Sequence, residues 1–171
     1  MSTANVDTWL AKTGEGLTAA KYRLNDGVSF ESSTFRRVAY KSGFQLSKLG
    51  NVETFFVFGD VANTDPASLK LFSANAYKYA RAAKRSWLPC GLFEAVICYA
   101  VAIVDVLDDA TSASIKVTAP TKHWAAFEVP VVYESSRGTY CTFEQTPIWG
   151  AAYYRGFRAQ IAQFLGTGAP S

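Results

Sequence analysis

The chain has 171 residues, of which 49% are hydrophobic and 15% aromatic, and its net charge is +3. This composition excludes an intrinsically disordered protein and predicts a single globular domain over residues 1–171 with a substantial core. Three cysteines without a Cys-x-x-Cys pair, and a start without the basic and apolar regions of a signal peptide, predict a reduced, cytoplasmic protein with no disulfide framework.

The amino-terminal part of the chain has the pattern of a short helix followed by an antiparallel meander. Residues 3–12 are the predicted helix, and Thr13-Gly14-Glu15-Gly16 is expected to end it. Turn residues then separate short runs of apolar and β-branched side chains. The predicted strands are residues 17–24, 28–31, 35–41, 44–49 and 53–60, with turns at Asn25-Asp26-Gly27, Ser42-Gly43 and Gly50-Asn51.

The middle of the chain predicts a helix followed by a buried central strand. Residues 66–85 are the helix, because Asp65 suits the N-cap and Pro66 suits the first helical position. Residues 92–107 are the strand, because they are rich in β-branched side chains. Its two faces are bulky (Ile97, Tyr99, Val101, Ile103) and small (Val96, Cys98, Ala100, Ala102, Val104). Both faces are apolar, so helices are expected to cover them, one approaching the small face closely.

The carboxyl-terminal part predicts a short helix, a hairpin and a last helix. These are residues 110–117, strands 123–134 and 139–144, and a helix from Thr146-Pro147 to about Leu165, with a flexible tail over 166–171. The complete pattern predicts an α+β fold. Its mixed β-sheet has an N-terminal antiparallel meander, one βαβ crossover, and helices packed on the sheet.

The first candidate site is the basic face of the helix over residues 66–85. Its cations lie within one arc of the helix and include an aromatic side chain, a pattern that favours an anionic partner such as nucleic acid or another polyanion. The candidate anion-binding residues are Lys70, Tyr77, Lys78, Arg81, Lys84 and Arg85. The alternative is an ordinary solvated face, in which the last cations complement the helix dipole.

A second candidate is a pair of carboxylates, Asp60 and Asp105, at the predicted carboxyl ends of two parallel strands. That edge of a sheet commonly binds ligands, and two acids there suit Mg²⁺ and phosphate chemistry. The alternative is that both acids simply end their strands, since the chain contains neither G-x-x-x-x-G-K-[ST] nor G-x-G-x-x-G.

His123 and Glu128 are the remaining catalytic candidates. Strand alternation places them on opposite faces of one strand, so a dyad is not expected unless a bulge intervenes, while a pair between Cys141 and His123 stays open. Glu128 lies in an apolar run and is predicted either to pair with Arg137, Arg155 or Arg158 or to be a pocket acid. Glu94 raises the same question on the central strand.

The last candidate is an interaction surface on the final helix. It consists of Trp149, Tyr154, Arg155 and Arg158, residue types that are enriched at binding hot spots. The alternative is an aromatic core face with two solvated arginines.

The predicted element order resembles that of PD-(D/E)xK nucleases, but the chain lacks their carboxylate-x-Lys motif, for which neither Glu53-Thr54-Phe55 nor Glu128-Val129-Pro130 qualifies. The leading hypothesis is therefore a non-enzymatic binding protein without a cofactor. Its partner is another protein, a second copy of the chain, or an anionic molecule at the basic helix. The alternative hypothesis is a metal-dependent enzyme that acts on phosphate esters through Asp60 and Asp105.

Overall fold

The computed structural model describes residues 3–45, 50–85, 94–123, 126–145 and 151–166, which contain four helices and seven strands. The helices are α1 (Thr3–Ala19), α2 (Pro66–Ala83), α3 (Asp109–Val117) and α4 (Ala151–Leu165). The strands are β1 (Arg23–Phe30), β2 (Ser33–Gln45), β3 (Gly50–Asp60), β4 (Glu94–Val104), β5 (Lys122–His123), β6 (Ala126–Glu134) and β7 (Thr139–Thr142).

The seven strands form one mixed sheet in the order β1-β2-β3-β4-β6-β5, with β7 also paired to β6. The strands β1, β2 and β3 are antiparallel neighbours, whereas β4 is parallel to both β3 and β6. The helix α2 connects the parallel strands β3 and β4, and its N-cap Asp65 accepts hydrogen bonds from the backbone of Ala67 and Ser68. The predicted α+β class, the meander and the βαβ crossover are therefore confirmed.

The central strand β4 is buried on both faces between β3 and β6, as its apolar pattern predicted. Its bulky face, including Tyr99, packs in one cluster with α1 and α4. Its small face lies against α2 and α3 on the other side of the sheet, where Cys98 and Ala100 pack near Ala76 and Tyr77. The small side chains therefore position a helix pair directly over the middle of the sheet.

The helix α1 does not end at residues 13–16, so the predicted break was wrong. Gly14 lies where a Cβ atom would collide with the guanidinium group of Arg37. That guanidinium donates a hydrogen bond from Nη1 to the backbone oxygen of Leu10 at 2.7 Å. The glycine therefore permits close packing of α1 on β2, and this tertiary contact outweighs its low helix propensity.

The meander has three strands with boundaries different from those predicted. Leu17 belongs to α1, and β1 continues through Asn25-Asp26-Gly27 because Gly27 takes a positive φ of 62° without reversing the chain. The reversal occurs at Glu31 and Ser32, between the paired residues Phe30 and Ser33. The strand β2 likewise continues through the turn predicted at 42–43. Local turn residues marked bends here, whereas the pairing of longer strands decided where the chain reverses.

Buried tyrosines make the fold sensitive to alkaline pH. Burial raises the pKa of Tyr22 to about 12 and raises the pKa of Tyr99 well above its ordinary value. Burial also raises the pKa values of four further tyrosines, Tyr40, Tyr79, Tyr133 and Tyr154. A phenol whose pKa is raised by folding favours the folded state while it is neutral. Its contribution is complete below the unfolded pKa of about 10 and is lost as the pH rises through the folded pKa.

We therefore expect the free energy of unfolding in urea to fall steeply between about pH 10 and about pH 12. Each unit of pKa difference is worth about 1.4 kcal/mol, so Tyr22 alone contributes about 2–3 kcal/mol. The variant Tyr22→Phe should show a shallower alkaline loss than the wild type. Equal pH profiles for the two proteins would contradict this explanation.

Candidate functional site

A pocket of about 300 Å³ lies between the sheet and the two helices α2 and α3. Its floor includes two neighbouring residue pairs of β4 and β6, Ala100 beside Pro130 and Ala102 beside Val132. Because an alanine side chain ends at Cβ, the small face of β4 leaves space beneath the helices at this point. The volume lies at the small end of the range of ligand pockets, about 300–1,000 Å³.

The walls of the pocket are mainly apolar, with a few polar groups. The apolar wall residues are Pro66, Leu69, Phe72, Ile115, Pro120 and Phe143. Three polar residues of the lining are buried, namely Glu128, Ser73 and Thr111, and Glu128 is the acid among them. Lys70 also lines the pocket, but it is an exposed residue. This combination of apolar walls and a few fixed polar groups is typical of a site for a small organic molecule.

Glu128 and His123 contact each other, so the prediction that they lie on opposite faces was wrong. The Nε2 atom of His123 is 3.3 Å from Oε2 of Glu128, whose side chain is only 6% exposed. The chain reverses between the two residues, because His123 on β5 pairs with Ala126 on β6. Cross-strand partners face the same side, and Glu128 follows Ala126 by two residues, so all three side chains lie on one face.

The ring of Tyr77 packs against the imidazole ring of His123. The two rings are stacked at a centroid separation of 4.1 Å and an interplanar angle of 9°. The Tyr77 hydroxyl accepts a hydrogen bond from Nη1 of Arg81 at 3.2 Å. Tyr77 is therefore buried on the inner face of α2, and it meets the basic surface for which it was proposed through its hydroxyl, at Arg81.

Ser73 lies one helical turn before Tyr77, on the same inner face of α2. It is 98% buried, and its hydroxyl oxygen has no hydrogen-bond partner among the residues that the structure describes. A buried hydroxyl without a partner costs about 1–3 kcal/mol. Because Ser73 lines the pocket, a bound molecule with a polar group can provide the missing hydrogen bond.

The cysteines near the pocket do not have the properties of catalytic nucleophiles. Burial raises the pKa of the Cys98 thiol far above its ordinary value, and the neighbouring Glu128 carboxylate raises it further. Burial also raises the pKa of Cys141, whose sulfur is 3.6 Å from the hydroxyl oxygen of Ser112. Cys141 pairs with Val132 on β6, six residues beyond the partner of His123. Both thiols are expected to stay protonated at neutral pH, and the Cys–His pair that the sequence left open is not formed.

Two of the residues proposed for the basic face of α2, Lys84 and Arg85, contact buried acids. Lys84 places Nζ 2.9 Å from Oε2 of Glu94, so Glu94 is in a buried ion pair. The backbone nitrogen of Arg85 donates to Oε2 of Glu53, and the Arg85 guanidinium lies over the ring of Tyr40. The exposed cationic residues of α2 are Lys70, Lys78 and Arg81. Arg85, beyond the end of α2, is exposed as well. Binding of an anionic partner through this face stays a prediction.

The two acids proposed for a metal site have protein partners. Asp60 lies 2.5 Å from Nε of Arg36, which also binds Asp7 at 2.8 Å. Asp105 accepts a hydrogen bond from the Ser135 hydroxyl at 3.3 Å. Across the described ranges, no group of three or more His, Cys, Asp or Glu side chains is placed to hold a metal ion. The metal-dependent alternative therefore lacks support from this edge of the sheet.

Two residues proposed for the interaction surface on the last helix, Tyr154 and Arg158, contact other parts of the protein. Tyr154 is buried against Phe143 and Phe157, because it lies on the inner face of α4. Arg158 donates to the backbone oxygens of residues 144 and 145. Arg155 is exposed, while Trp149 lies outside the described residues.

The partner of Glu128 differs from the arginines predicted for it. Arg137 pairs with Glu134, and His123 contacts Glu128.

Ser73, Ala100 and Ala102 were not identified from the sequence as residues of a pocket. Ser73 is a polar residue on the otherwise apolar inner face of α2, and this exception was a usable signal. The small residues Ala100 and Ala102 were interpreted only as a route to close helix packing.

Comparison of the chain with protein-family models, curated proteins and solved structures found no match. No helix within the described ranges combines the length and apolar character needed to cross a membrane.

Proposed function

We propose that the protein binds a small, largely apolar organic molecule in the pocket between the sheet, α2 and α3. The observation that carries the proposal is a buried carboxylate, Glu128, in the wall of an otherwise mainly apolar pocket. Apolar walls provide affinity through burial, and a buried polar group fixes the orientation of the ligand. This function belongs to the class of binding proteins that the sequence favoured, with a different site and ligand.

Binding is a better explanation than catalysis for the groups that line the pocket. The nearby thiol of Cys98 is held in its protonated form, so it cannot act as a thiolate nucleophile. Among the described residues, no base forms a hydrogen bond with the Ser73 hydroxyl. The polar groups of the pocket are therefore suited to recognition, in which they only need to form hydrogen bonds with a ligand.

The variant Ser114→Trp tests whether this pocket binds a ligand. Ser114 lines the pocket from an exposed position on α3, so a large side chain should block the space without straining the core. We expect benzylamine at ten times its dissociation constant to stabilise the wild type by about 1.4 kcal/mol. This stabilisation, measured as a rise in melting temperature, should disappear in Ser114→Trp.

The matched control is Ala113→Trp, which adds the same side chain at the neighbouring exposed position of α3, outside the pocket lining. This variant should keep the full stabilisation by benzylamine. Equal stabilisation of both tryptophan variants would show that benzylamine binds elsewhere and would contradict the proposed function.

A further inference from the structure

We infer that the molecule bound in this pocket carries a cationic amine, which forms an ion pair with Glu128 and a hydrogen bond with Ser73. The inference rests on the proposed function and specifies the chemical class of its ligand: a compact apolar body with a protonated primary or secondary amine. Three features of the pocket support it, namely the buried acid Glu128, the Ser73 hydroxyl, which lacks a partner among the described residues, and the exposed position of Lys70.

The first feature is a buried acid without a strong cation beside it. Among the described residues, the ion-pair contact recorded for Glu128 is with His123, at 3.3 Å. The imidazole contacts one carboxylate oxygen, and among the described residues no Lys or Arg side chain forms an ion pair with Glu128. A carboxylate buried among apolar side chains is costly unless a cation pairs with it. An ammonium group from a ligand would provide that charge, as Lys84 does for Glu94 on the same side of the sheet.

The second feature is the complementary hydrogen-bonding capacity of Ser73. An ammonium group has three donors and no acceptor, so it requires several oxygen atoms around it. Glu128 and Ser73 both line the pocket, and their side chains carry such oxygens. The hydroxyl oxygen is buried and has no partner in the described part of the chain. One ligand group would therefore satisfy both polar side chains.

The third feature is the distribution of charge along the pocket. Lys70 also lines it, three residues before Ser73 on α2, and would repel an amine. Lys70 is exposed, however, so solvent and salt screen its charge, whereas Glu128 is buried and its charge is screened much less. The buried end of the pocket therefore favours a cation. The apolar body of the ligand would lie over Ala100 and Ala102, which are part of the pocket lining.

A series of three compounds of the same shape tests the charge preference. Benzylamine, benzyl alcohol and benzoate differ at pH 7 by a positive, a neutral and a negative group on the same aromatic body. We expect titration calorimetry with the wild-type chain to give about tenfold tighter binding for benzylamine than for benzyl alcohol, and no binding of benzoate. The expected difference reflects a charge-assisted hydrogen bond to a buried carboxylate.

Two variants test the assigned partners. Glu128→Gln should remove the advantage of benzylamine over benzyl alcohol while it leaves the affinity for the alcohol nearly unchanged. Ser73→Ala removes the hydroxyl without adding volume, and it should weaken benzylamine binding by about threefold to tenfold. If Glu128→Gln does not fold, Ser73→Ala and the wild-type compound series still decide the question.

The possible outcomes distinguish the amine assignment from the proposed function of the pocket. Benzyl alcohol or benzoate binding the wild type as tightly as benzylamine, with loss of binding in Ser114→Trp, would overturn the amine assignment and leave the proposed function in place. A benzylamine preference that survives in both Glu128→Gln and Ser73→Ala would also overturn the assignment. Absence of binding by all three compounds would overturn the proposed function together with this inference.

Discussion

Lys84→Met is expected to lower the free energy of unfolding by about 3–5 kcal/mol, because it leaves a buried carboxylate without its cation. The side chain of Glu94 is fully buried, and its Oε2 atom is 2.9 Å from Nζ of Lys84. Its other oxygen, Oε1, has no hydrogen-bond partner in the described part of the chain. The carboxylate therefore depends strongly on Lys84. Urea unfolding of the two proteins at neutral pH measures the loss.

Two further variants make this test specific. Lys78→Met removes an exposed cation from the same helix and should change the stability by no more than about 0.5 kcal/mol. The double variant Lys84→Met with Glu94→Gln removes both charges and should recover much of the loss, since coupling is expected between residues in direct contact. A Lys84→Met variant as stable as Lys78→Met would contradict the ion-pair explanation.

Trp9→Ala is expected to destabilise the protein by about 3–5 kcal/mol, the cost of removing a large buried aromatic side chain. The Trp9 ring stacks on Tyr133 at a centroid separation of 3.7 Å and meets Phe58 edge-on at 6.0 Å. Its Nε1 atom donates to the backbone oxygen of Leu165 at 3.4 Å. One side chain of α1 thus contacts two strands of the sheet and the end of α4, and its loss leaves a cavity among all of them.

Two matched substitutions distinguish the loss of ring packing from a general effect of substitution in α1. Glu15→Ala changes an exposed position of α1 and should be nearly neutral. Trp9→Phe keeps an aromatic ring but loses the hydrogen bond to Leu165, so its cost should fall between those of the two alanine variants. A loss of less than about 1 kcal/mol in Trp9→Ala would show that α1 is not packed on the sheet as described.

The parts of the fold that were predicted correctly are those with strong local patterns. The helix over 66–85 has a cap, a proline and an apolar face, and each of these features agrees with α2 and its cap Asp65. The strand over 92–107 has two apolar faces, and β4 lies between two parallel neighbours. In both elements, local propensity and tertiary packing favour the same structure.

The errors occurred where a tertiary contact overrides local preference. Gly14 disfavours a helix, but Arg37 requires the space that a side chain would occupy. His123 is followed by Trp124 and Ala125, neither of which is a typical turn residue, and yet His123 pairs with Ala126. Without a turn signal, strand alternation assigned His123 to the wrong face. The pair with Glu128 depends entirely on that reversal.

The pocket depends on relations that a single sequence shows only in part. Glu128 was recognised as a possible pocket acid, because a carboxylate in an apolar run requires either a partner or a ligand. The space beside it depends on how far α2 and α3 lie above Ala100 and Ala102, which no local pattern specifies. Ser73 was detectable as the polar residue on the inner face of α2, but its missing hydrogen bond is a property of the folded protein.

The most direct test of the ligand site is a titration of the ¹⁵N-labelled protein with benzylamine, followed by two-dimensional NMR. We expect concentration-dependent shifts concentrated at the backbone amides around Ser73, Ala100, Ala102 and Glu128. The same titration of Ser114→Trp should leave these signals unmoved. Shifts confined to another surface, or signals near Glu128 that do not move at saturating benzylamine, would contradict the claim that this pocket is the binding site.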